Sequence, residues 1–115
     1  MPIPPNLAAL VDRLNQELNS IEQDTLEGLS LTRLALSRFS NNAILIQYFA
    51  YLNSALLFVE TLKSQVQITV DLISQDNADS IEIQEAGEDL GTLLGKAIEA
   101  KLGVRRILNL LENLL

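Results

Sequence analysis

Every proline in this 115-residue chain lies within its first five residues, and no glycine occurs between Gly28 and Gly87. Proline and glycine are the residues that most often end regular elements, so the chain is offered almost no interruption and its elements should be long. Residue type decides which kind. Leucine accounts for 24 residues, whereas Phe, Tyr and Trp together make up 4%. Leucine is a strong helix former and aromatic side chains favour strands, so the expectation is helices.

The apolar spacing agrees. Leu7, Val11, Leu14, Leu18 and Ile21 step by four, three, four and three, the spacing of one helix face. The stripe resumes at Leu26, Leu29, Leu31, Leu34 and Leu36. Between the two runs lie Gly28 and an Asp24-Thr25-Leu26-Glu27 sequence that could cap a new helix, so one bent helix or two short ones both fit. Phe39-Ser40-Asn41-Asn42 is the first clear turn, with Arg38 placed to favour a helix C-terminus. A second helix follows on the seam Leu45, Phe49, Leu52, Leu56, Val59, Val66, Val70 and Ile73, flanked by Tyr48, Ala55, Leu62 and Thr69. So much apolar girth requires cover on several sides. After the polar run Ser74 to Ser80, Asp79 with Glu82 forms a capping box for a last helix through Ile83, Gly87, Leu90, Leu94, Ala97, Val104, Leu108, Leu111 and Leu115. Val66, Ile68 and Val70 alternate with polar residues, as do Ile81 and Ile83, which is also a hairpin pattern. Two strands alone are marginally stable, however, and the same residues continue longer helical seams.

The expected fold is therefore all-α, one domain over residues 1–115. A proline-rich lead-in at 1–5 precedes helices at about 6–38, 43–74 and 79–115 in an antiparallel up-down-up bundle, each near 50 Å long.

Composition narrows function mainly by exclusion. The chain has no His and no Cys, which removes Ser-His-Asp and Cys-His catalysis, imidazole metal sites, redox CxxC pairs and disulfides. Asp76-Asn77-Ala78-Asp79 offers oxygen ligands but lacks the glycine and closing Glu of a calcium loop, and no two carboxylates stand out as an acid/base pair. No enzyme, metal or cofactor is expected. A net charge of −7 has the wrong sign for nucleic acid or anionic lipid. Met1-Pro2-Ile3-Pro4-Pro5 has neither a basic nor an apolar stretch, so no signal peptide is expected and the cytoplasm is the default location.

Phe39 to Val59 is 21 residues without a charge, long enough to span a bilayer. A polar stripe runs along it at seven-residue intervals, through Ser40, Gln47, Ser54 and Thr61 and through Asn53, Glu60, Gln67 and Ser74. Lipid gives no reason to keep such a stripe, and the pattern favours a buried central helix of a soluble bundle.

Four features point to assembly. Gly87, Gly91 and Gly95 lie four apart, a spacing that suits close helix packing, within the bundle first and between two copies second. The five aromatics fall within 20 residues; Phe49 reads as core, and Tyr48 or Tyr51 as interface. Asp71 to Asp89 holds seven acids and no base, while Lys96, Lys101, Arg105 and Arg106 follow on the same helix, so two last helices paired antiparallel would match charge. Finally, Leu110 and Leu114 fall off the face of Leu108, Leu111 and Leu115, more apolar girth than one seam can cover. The candidate interface is Tyr51, Leu57, Gly91, Gly95, Arg105, Arg106, Leu110 and Leu114. The function expected is non-enzymatic assembly or adaptation through helix pairing, with a second copy or with a helical partner protein. The alternatives are a bundle that binds a small apolar ligand or lipid, and a membrane-associated helical protein.

Overall fold

The computed structural model describes residues 3–75 and 77–114; Met1 and Pro2 of the lead-in, Asp76 of the second turn and Leu115 of the last seam lie outside them. Three helices follow in order, α1 (Pro5–Arg38), α2 (Ala43–Ile73) and α3 (Ser80–Leu114), packed as a three-helix bundle without strands among the described residues. The segments that alternate like a hairpin are helical.

Local chemistry explains the ends. Pro5 opens α1, where its missing N–H costs nothing. The Asn42 side chain accepts from the backbone N–H groups of Ile44 and Leu45 at 3.0 and 3.1 Å, and Asp79 Oδ1 accepts from Glu82 N–H at 2.8 Å. Such caps contribute about 1 kcal/mol each. The Asp24–Glu27 sequence, by contrast, caps nothing: α1 runs unbroken through it and through Gly28, and Asp24 is used in an ion pair described below.

The seam of α1 differs from the leucine count. Continuing Leu7, Leu14 and Ile21 by sevens gives Gly28 and Ala35, and continuing Leu18 gives Thr25 and Thr32; these residues and Leu29, which was expected on the seam, are the buried ones. Leu26 and Leu34, expected on the seam, are each 47% exposed. The small residues let α2 come close. Leu52 sits over Gly28, where an added Cβ would lie 3.0 Å from Leu52 Cδ1. Gly28 is thus a contact point, which explains its place in the middle of an unbroken helix. The two buried hydroxyls are satisfied within their own helix, Thr25 Oγ1 donating to Ile21 O at 2.6 Å and Thr32 Oγ1 to Gly28 O at 2.7 Å.

On α2 the expected rows hold: Leu45, Leu52, Val59, Val66 and Ile73 are buried, with Ala55 and Leu62 beside them. Its polar stripes face water. Even so, α2 is not the buried central helix. It is long and apolar enough to cross a membrane, and only 22% of its most apolar 18-residue stretch is buried. The central position belongs to α1, which packs extensively on both α2 and α3 while those two meet each other least. Ion pairs reach out from α1 on each side: Glu22 to Lys63 at 2.6 Å, Glu17 to Lys101 at 3.0 Å and Asp24 to Arg105 at 3.1 Å. All are partly exposed, so each contributes about 0–1 kcal/mol and acts more on register than on stability.

Candidate assembly interface

Because α2 and α3 stand apart, a trough runs between them, and heptad rows determine what lines it. On α2 the row next to the buried Ala55 and Leu62 and the half-buried Tyr48 and Thr69 is Ile44, Tyr51, Phe58, Gln65 and Leu72, which carries no charge. Opposite it on α3 lies the row Glu82, Asp89, Lys96, Gly103 and Leu110. The two rows meet at several heights. Leu72 shares a depression with Glu82 and Asp89, Phe58 and Tyr51 share one with Lys96, and Ile44 shares one with Leu110 and Leu114. Ile68 lies between these, beside Asp89 and Lys96.

The trough collects apolar surface. Of fourteen large apolar side chains exposed on the described residues, Ile44, Tyr51, Phe58, Ile68, Leu72, Leu110 and Leu114 line it, and the other seven are spread over the remaining surface. Single exposed leucines are ordinary, but a row of this kind is not. The depression near Tyr51 and Phe58 has a volume of about 400 Å³ and is open to solvent.

Charge is distributed as unevenly. Among the described residues, the half of the bundle nearer the α2–α3 turn (residues 3–21 and 60–97) carries nine acids and three bases. The other half (22–59 and 98–114) carries five of each, with Arg33 and Arg38 on α1 and Lys101, Arg105 and Arg106 on α3. Asp89 and Lys96, inside the trough, are exposed, and among the described residues neither is paired. No group of three or more acidic side chains is placed to hold a metal ion among those residues.

The candidate residues from the sequence divide between two faces. Tyr51, Leu110 and Leu114 lie in the trough, and Arg106 is exposed one row outside it. Leu57 is 66% exposed on an outward row of α2, one residue from Phe58 and turned away from the trough. Arg105 is held by Asp24 of α1. Gly87 does touch α1, its added Cβ falling 3.1 Å from Leu7 Cδ2, but Gly91 and Gly95 have nothing within 4 Å of an added Cβ. The expected close crossing at Gly91 and Gly95 within the bundle is therefore absent. The seam runs through Ala86, Leu90, Leu93 and Ala97 and leaves them on outward rows.

The close approach on α3 occurs at Gly103 instead, where an added Cβ would run into the Tyr51 hydroxyl. Gly103, one of the small residues of the last helix, and Phe58, one of the five clustered aromatics, stand outside the candidate interface residues drawn from the sequence. The signal for both was present in the seven-residue step, from Leu110 back to Gly103 and from Tyr51 on to Phe58. Phe49 is half-buried against the core with the Arg33 guanidinium 5.6 Å from its ring centroid, a cation–π contact between α1 and α2. Compared with protein-family models, curated proteins and solved structures, the chain finds no match, so the geometry alone bears on function.

Proposed function

We propose that this protein is a non-enzymatic assembly protein that pairs as a homodimer through the trough between α2 and α3. The observation that carries the reading is the concentration of seven exposed large apolar side chains along one trough while α1 closes both of its own seams. Exposed aromatic and aliphatic residues of this kind supply most of the affinity at interfaces, and Tyr51 and Phe58 at mid-trough are the natural anchors.

An elongated trough fits a helix better than a compact molecule, which is why pairing is preferred over a small apolar ligand here. Light scattering over a dilution series is the test. A mass of twice 12.7 kDa that falls to one chain on dilution supports the proposal. A single-chain mass at every concentration up to millimolar overturns it.

A further inference from the structure

The charge pattern of the trough determines how two copies would lie, an inference that rests on the homodimer reading. Placed parallel, two copies would set the acidic end of the trough against itself, Glu82, Glu85 and Asp89 facing their own counterparts. Placed antiparallel, that end of each would face the part of the partner's trough that holds Lys96, Ala100 and Gly103. We infer that the trough receives the α2–α3 face of a second copy in antiparallel orientation, about a two-fold axis crossing α3 between Thr92 and Leu93.

The position of the axis follows from which residues are equidistant from it. Asp89 and Lys96 are, and being seven apart they share one face of α3; each antiparallel copy therefore sets its own Asp89 against its partner's Lys96. Glu82 falls opposite Gly103 and Glu85 opposite Ala100, small residues that carry no charge. Neither Asp89 nor Lys96 has a partner among the described residues of its own chain, whereas Lys63, Lys101 and Arg105 are already committed to α1. The apolar rows obey the same symmetry. Leu72 stands at the acidic end of the trough, level with Glu82, Glu85 and Asp89, whose symmetric positions are Gly103, Ala100 and Lys96, so each Leu72 comes over the depression of Tyr51 and Phe58 in the second copy. Such unlike-charge apposition fixes register and orientation more than it adds affinity.

The absence of cysteine makes the test direct, because a single introduced cysteine carries the only spin label. Glu88→Cys and Asn109→Cys both place labels on an exposed, outward row of α3. From the helix rise, the two copies of residue 88 should be separated along the axis by about 14 Å and the two copies of residue 109 by about 50 Å. Dipolar spectroscopy on the dimer should therefore give a much longer distance for Asn109→Cys than for Glu88→Cys. Equal distances at the two positions overturn the antiparallel arrangement while leaving the homodimer standing, and a single-chain mass overturns both. In parallel, Lys96→Glu should raise the dimer Kd at least about tenfold, and adding Asp89→Lys to it should bring the Kd back toward wild type. A double variant no tighter than Lys96→Glu alone overturns the register.

Discussion

The two seams made by α1 and the trough between α2 and α3 are built from the same leucine-rich helices, yet the first are closed and the second is open. The difference lies in side-chain size at the contact. The buried face of α1 turns to small residues at Thr25, Gly28, Thr32 and Ala35, and at Gly28 α2 comes close enough for Leu52 to fill the space. Between α2 and α3 the facing rows carry Tyr51, Phe58 and Leu72 against Asp89, Lys96 and Leu110; bulk and charge hold the helices apart except where Gly103 admits Tyr51. Small residues close a seam, and large ones leave apolar surface for another molecule to cover.

Substitutions can break or sharpen that contrast. The largest effect is expected at the closed seam: Leu52→Ala removes a fully buried side chain and should cost about 2–5 kcal/mol in denaturant unfolding, against about 1 kcal/mol for Phe58→Ala measured at monomer concentrations. Equal costs at the two positions would erase the distinction. Next, Gly28→Val puts its branches into Leu52 and should lower stability by about 1–3 kcal/mol, whereas Gly95→Ala, facing open space, should raise it by about 1 kcal/mol through helix propensity alone. A loss at Gly95→Ala, read from the thermal midpoint of the isolated chain, would place a neighbour where none is seen. The smallest effect belongs to the rim: Lys63→Gln breaks the ion pair with Glu22 and should cost no more than about 1 kcal/mol, because both side chains remain a third exposed.

Much of this architecture was legible in the sequence, since helix number and helix ends depend on breakers and caps that act locally. Asn42, Asp79 and the proline-rich lead-in sit where the helices begin. The heptad rows of α2 were equally plain, because its buried positions are all apolar or nearly so. Two things were not. The seam of α1 passes from leucines to Gly28, Thr25 and Thr32, and a reading that follows hydrophobicity drifts instead to Leu26 and Leu34, which face solvent. The direction of Gly91 and Gly95 was also hidden, because four-residue spacing states that small residues share a face without stating what that face meets. In the same way, the girth of α2 implied cover, and only the packing of three helices shows that α1 supplies one part of it and leaves the trough.

Leu57 and Phe58 are neighbours in sequence on different faces of α2, the first turned outward and the second lining the trough. Placing a glutamate at each in turn, and weighing the two variants by light scattering beside the wild type, tests the role of the trough most directly. Leu57→Glu should remain a dimer of unchanged affinity, and Phe58→Glu should weaken it at least about thirtyfold, the loss of one central anchor. Dimers of equal strength in both variants, or the stronger loss at Leu57, would contradict the assignment of the α2–α3 trough as the assembly face.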